Sequence, residues 1–88
     1  MSDITLPTLH LNGSSRESLL QEYITAMDAL RRAVEALQKT SPNGRDYYIQ
    51  GPDALPKAVK EHSLRLHRLA DTIHELITLA VHVAGVTP

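Results

Sequence analysis

Residues 20–37, LQEYITAMDALRRAVEAL, decide the fold. Their larger apolar side chains recur in alternating steps of three and four, at Leu20, Tyr23, Met27, Leu30, Val34 and Leu37. This spacing puts them on one side of a helix, as in helices that pack lengthwise against another helix. Ser14 and Glu17 have the spacing of a capping box at the start, and Pro42 disfavours helix at its end. The sequence predicts a helix over about residues 15–39.

A second apolar seam follows the same rule, at Val59, His62, Leu66, Leu69, Ile73, Leu76, Ala80 and Val83. Pro52 and Asp53 offer a helix start, so we predict a helix over about residues 53–84 and a connection over about residues 40–52. Two amphipathic helices joined in this way favour an all-α fold, an antiparallel two-helix hairpin. Residues 14–88 form the hairpin in this prediction.

Residues 1–13 are expected to form an extended arm, because Pro7 interrupts a loosely alternating apolar segment that ends at Asn12 and Gly13. Near the other end of the chain, Ile77, Leu79 and Val81 spread apolar character around the second helix. A single partner helix does not cover such a surface, so we expect a homo-oligomer in which this part of the helix packs on a neighbouring chain. The alternative is a monomer in which the arm covers the extra face.

Composition narrows the possible functions. The 88 residues contain nine Lys and Arg against ten Asp and Glu, which argues against binding to a nucleic acid polymer or a membrane. There is no cysteine, so thiol catalysis and thiolate metal sites are excluded. No serine has the context of an activated nucleophile, and we expect a protein that is not an enzyme and has no cofactor. No signal-peptide or membrane-span pattern occurs, which predicts a location in the cytoplasm.

The connection between the helices is the strongest candidate site. It is longer than the roughly 2–8 residues that a helical hairpin needs, and it is rich in functional side chains. Tyrosine rings can stack on a nucleobase, and arginine can pair with a phosphate. The predicted ligand-binding residues here are Asn43, Arg45, Asp46, Tyr47, Tyr48 and Gln50. The alternative is that a tyrosine plugs the end of the hairpin and the polar groups only cap the core.

The start of the second helix adds positive charge to this site. Lys57, Lys60 and Arg65 follow the connection, and the free N–H groups of the first turn also favour an anion. His62 stands in the apolar seam where leucine is expected, within reach of Tyr23 or Tyr47 in this prediction, and is a secondary ligand-binding candidate. The alternative is that the lysines are ordinary solvated charges and His62 is a hydrogen-bonded core residue.

His67, Asp71 and His74 share one helix face and have the spacing of metal ligands. No second cluster completes a coordination sphere, so we predict no metal site and interpret these residues as a polar outer face.

Three segments carry a resemblance to a known group: LHLNGSSRESLL at residues 9–20, NGRDYYIQGPDAL at residues 43–55 and EHSLRLHRL at residues 61–69. They resemble small helical proteins encoded by bacteriophages and prophages. In architecture the chain is similar to phage anti-defence sponges, short helical oligomers with ligand pockets formed between protomers.

The resemblance implies a protein of the host bacterial cytoplasm that sequesters a nucleotide-type immune signal, a cyclic nucleotide or an ADP-ribose derivative, without turnover. The alternative function is a phage structural or inhibitor module that binds a host or virion protein through the loop or the apolar C-terminal face.

Overall fold

The computed structural model describes residues 4–85, in which helix α1 (Arg16–Gln38) is followed by helix α2 (Ala54–Gly85). The two helices pack against each other as a hairpin, and no residue between 4 and 85 lies in a strand. The predicted all-α helical hairpin is therefore confirmed. The molecule is a rod of 61 × 23 × 18 Å, because the 32 residues of α2 extend for about 48 Å at about 1.5 Å per residue. Neither helix is long and apolar enough to cross a membrane over the described residues.

Helix α1 buries the seam that its sequence predicts. Met27, at the middle of the seam, is 7% exposed, and the other seam positions are half-buried while their neighbours, apart from Leu19, are exposed. The helix cap differs from the prediction: Ser15, rather than Ser14, is the N-cap, and its hydroxyl oxygen accepts a 3.1 Å hydrogen bond from the Ser18 N–H. Glu17 therefore occupies the second helical position and does not complete a capping box.

Helix α2 buries its seam with one correction. Val59 was expected in the core but is 49% exposed, and Ala58 is buried in its place. Since Leu55 is half-buried and Ala58 is buried, the seam enters α2 through Leu55 and Ala58 before it reaches His62. At the other end of the seam, Val83 is fully buried.

His62 is a core residue with a hydrogen-bond partner that the sequence did not indicate. It is 6% exposed, and its Nε2 lies 3.2 Å from the hydroxyl oxygen of Ser41 rather than at Tyr23 or Tyr47. The Ser41 hydroxyl donates its proton to the Gln38 carbonyl at 2.7 Å, so the His62 Nε2–H must be the donor to Ser41. This bond links the end of α1 to α2 where the connection begins.

The arm lies against the distal end of α2. The Nε2–H of His82 donates a 3.0 Å hydrogen bond to the Pro7 carbonyl, across 75 residues of sequence. Leu79 and Glu75, one and two turns earlier on the same side of α2, are half-buried. The arm does not cover the whole apolar surface of this end, because Ile77 and Val81 remain 37% and 66% exposed.

Candidate functional site

The connection folds into two short 3₁₀ turns, Gly44–Asp46 and Tyr48–Gln50. The Asn43 side-chain oxygen accepts a 3.0 Å hydrogen bond from the Arg45 N–H and so caps the first turn. Within the described chain the positive φ belongs to Gly51, at 108°, where the chain leaves the second turn and enters α2. The segment has a defined shape because four of its backbone N–H groups donate to the carbonyl three residues earlier. The donors are Asp46, Tyr47, Gln50 and Gly51.

The second turn presents an apolar pair to solvent. Tyr48 is 72% exposed and the adjacent Ile49 is 84% exposed, although both are large hydrophobic side chains. Tyr47, in contrast, is half-buried at the junction of the two turns. The two tyrosines therefore differ in accessibility: Tyr47 is partly covered, and Tyr48 is available for contact with another molecule.

A shallow concavity of about 370 Å³ lies between the second turn and the start of α2. Three of the predicted ligand-binding residues line it, Tyr47, Gln50 and Lys57. Asp53 and Glu61 line it as well, so its charged groups are two carboxylates and one ammonium. The net positive charge expected for a phosphate site is therefore not concentrated here, and the concavity suits a polar, planar group better than a bare anion.

The cationic candidates are free of internal partners. Within residues 4–85, ion pairs join Arg16 to Glu17 and Arg31 to Asp28. Neither an ion pair nor a side-chain hydrogen bond is made there by the four candidates Arg45, Lys57, Lys60 and Arg65. Arg45 lies in the first 3₁₀ turn, exposed like the adjacent Asp46. All four cationic side chains are exposed and available to a ligand or a partner.

The structure gathers only part of the predicted site. Lys60 and Arg65 are exposed on α2 but do not line the concavity, and neither do Arg45, Asp46 or Tyr48. Asn43 uses its side-chain oxygen to cap the first turn. His62 is buried and bonded to Ser41, which makes it part of the support for the connection rather than a group that a ligand can reach directly.

Three residues of this end were missed by the sequence reasoning. Ile49 had a visible signal, since it is a large apolar side chain within an otherwise polar connection. Asp53 and Glu61 gave no such signal, because their contact with the concavity depends on how the second turn folds back on α2.

The described residues contain no group of three or more His, Cys, Asp or Glu placed to hold a metal ion, and His67 bonds to the Ser63 carbonyl through Nδ1 at 3.0 Å. Comparison with known proteins gave no match to a family model, to a curated protein or to a solved structure.

Proposed function

We propose that this chain is a non-catalytic binding module, a homo-oligomer of antiparallel hairpins whose loop end (residues 43–51) holds a protein partner. The observation that carries the proposal is the exposed pair Tyr48 and Ile49, at 72% and 84%, on a hydrogen-bonded turn close to the unpaired Arg45. Tyrosine and arginine are enriched among the side chains that dominate protein interfaces, and an apolar neighbour supplies area to bury. A turn that is already ordered loses little conformational entropy when a partner binds.

The partner class follows from the resemblance to phage-encoded proteins, and is a host or virion protein. The test is affinity capture with the purified chain and two matched variants. Ile49→Ser removes an exposed apolar group from the loop end, while Leu64→Ser removes one from the middle of α2. A stoichiometric protein bound by the wild type and by Leu64→Ser, but lost with Ile49→Ser, supports the proposal. A partner that is insensitive to Ile49→Ser refutes it.

A second candidate function is sequestration of a nucleotide-type immune signal without turnover, as in phage anti-defence sponges. The concavity favours it through Tyr47, Gln50 and the unpaired Lys57, which offer a ring surface, an amide and a cation. The carboxylates of Asp53 and Glu61 weigh against a phosphate in the same space.

The two candidates separate in one assay. The protein is mixed with cyclic dinucleotides, cyclic trinucleotides and ADP-ribose derivatives, and its melting temperature is followed. A sponge is stabilised and releases the intact compound after heat denaturation. Lys57→Gln should then lose the shift, and Lys60→Gln, outside the concavity, should keep most of it. Absence of a shift with every compound rejects this second candidate, and a modified compound on release indicates an enzyme.

A further inference from the structure

A stripe without charged residues runs along one flank of α2 beside the buried seam. It consists of Val59, Ser63, Leu66, Ala70, His74, Ile77 and Val81, and we call it the flank stripe. On an α-helix these positions fall within about 80° of one another around the axis. All are exposed except Leu66, which is half-buried, and none is Asp, Glu, Lys or Arg. The flank stripe therefore extends over most of the length of α2 as surface that the hairpin itself does not cover.

The spacing of the flank stripe is symmetric about Ala70. From Val59 the steps are four, three and four residues to Ala70, and from Ala70 they are four, three and four residues to Val81. A two-fold axis at Ala70 therefore places Val59 of one chain on Val81 of the other, and Ala70 on its own equivalent. The same axis places Ser63 on Ile77 and Leu66 on His74, so the stripe matches itself in spacing, as an interface between identical subunits requires. The small side chain of Ala70 at the axis allows two helix backbones to approach closely.

The arm leaves the flank stripe open. It is bonded to α2 through His82, which lies about 100–140° around the helix from Val81 and Ile77. Beside the stripe, on the other side from the arm, Leu66, Ala70 and Ile73 also line a groove of about 490 Å³ against α1. From α1 the groove is lined by Val34 and by the polar residues Arg31, Glu35 and Gln38, so a helix seated on the stripe lies beside α1 as well.

The exposed area of the chain is large enough for a stable pair. The chain exposes 6723 Å², whereas a compact monomer of 9.7 kDa exposes roughly 5,100 Å². The difference is about twice the roughly 800 Å² that each partner buries in a standard interface. A second hairpin laid along the stripe would bring four helices together and cover part of this excess surface.

We infer that a second copy of this chain packs antiparallel on the flank stripe of α2, with the two-fold axis at Ala70. This inference rests on the homo-oligomer of the proposed function and specifies its surface and register, and it uses no residue of the loop end.

Engineered cysteines test the register cleanly, because the chain has no cysteine of its own. Ala70→Cys places two thiols at the axis, where they meet at an effective concentration of roughly millimolar instead of the micromolar bulk value. Its disulfide-linked dimer should form at least about tenfold faster than that of Ala36→Cys, an exposed alanine of α1. Light scattering should give twice the chain mass of 9.7 kDa for the wild type and for Ile49→Ser, and the single-chain mass for Val81→Glu.

The antiparallel direction has its own test. Two copies of residue 59 in the dimer are separated by 22 residues of helix, roughly 33 Å at about 1.5 Å per residue, and cannot form a disulfide. Val59→Cys mixed with Val81→Cys should therefore cross-link, while Val59→Cys alone should not. A monomer at tens of micromolar, an Ala70→Cys rate no higher than that of Ala36→Cys, or self-linking of Val59→Cys overturns the inference. Ile49→Ser leaves the flank stripe intact. If this variant loses partner capture but remains a dimer, the result concerns the loop end and not the register of the dimer.

Discussion

The hydrogen bond between Ser41 and His62 allows a quantitative test of how the hairpin holds its connection. Ser41→Ala removes the acceptor for the buried His62 Nε2–H, and His62 has 6% exposure through which to recruit water. An unpaired buried donor costs roughly 1–3 kcal/mol. We expect about 1 kcal/mol, at the low end, because the 3.2 Å bond is long and Ser41 itself is exposed. For a domain of this size that change lowers the melting temperature by roughly 4–8 °C.

His62→Leu should behave in the opposite way. It removes the donor together with its need for a partner, and it places a leucine at a seam position. Replacing a buried polar group by an apolar one of similar size is nearly neutral or stabilising. The same reasoning predicts that Ser41→Ala has little effect in the His62→Leu background, apart from the loss of the Ser41 bond to the Gln38 carbonyl, which is common to both backgrounds.

The assay is a double-mutant cycle by thermal or urea unfolding, with all four proteins at one concentration because self-association raises the apparent stability. A coupling energy of about 1 kcal/mol is the expected result. If Ser41→Ala costs the same with leucine at position 62 as with histidine, the bond contributes nothing and the assignment of the Nε2–H as donor is wrong. A loss of more than about 1 kcal/mol in His62→Leu alone contradicts the view that the seam accepts an apolar residue there.

Three further perturbations follow from the structure. Gly51→Ala should lower the free energy of unfolding by roughly 1–2 kcal/mol in urea, because Gly51 has a φ of 108°. Gly44→Ala, whose added Cβ meets Leu55 at an ordinary 3.7 Å, should cost less than half as much. Equal costs for the two variants contradict the role of the positive φ. Val83→Ala should destabilise by about 2 kcal/mol because Val83 is fully buried, and a cost below about 0.5 kcal/mol shows that this end of α2 is loosely packed. The pKa of Glu17 is lowered by its backbone hydrogen bond and then by Arg16, so its stabilising effect is present above its ordinary pKa of 4.5 and is lost as the pH falls through the lower folded value. Glu17→Gln should therefore flatten the acid side of a melting-temperature profile against pH, and an unchanged profile excludes this contribution.

The helical hairpin was predictable because each helix carries its own periodic seam, and burial follows that seam at nearly every position. The error at Val59 shows the limit of periodicity near a helix end. Both Val59 and Ala58 lie on the inner half of α2, and the chain path from Gly51 decides which of them faces α1. The displaced cap has a similar origin, since Ser14 and Ser15 are chemically equivalent caps and tertiary packing selects between them.

The shape of the connection between the helices could be predicted only in part. The length and side chains of the connection indicated residues 43–50, and the structure gives these residues an ordered form. Which tyrosine is exposed depends on the register of the 3₁₀ turns, and the burial of His62 depends on Ser41, which lies 21 residues earlier in the chain. Neither relation leaves a periodic signal in the sequence.

The hydrogen bond from His82 to Pro7 also brings residues 7 and 82 together at one pole of the rod. Tyr48 and Ile49 occupy the other pole, about 42 Å away along the 28 residues of α2 between Ala54 and His82. A fluorophore attached close to residue 7 or residue 82 therefore lies at the pole remote from the loop. A molecule immobilised through that pole presents its loop outward.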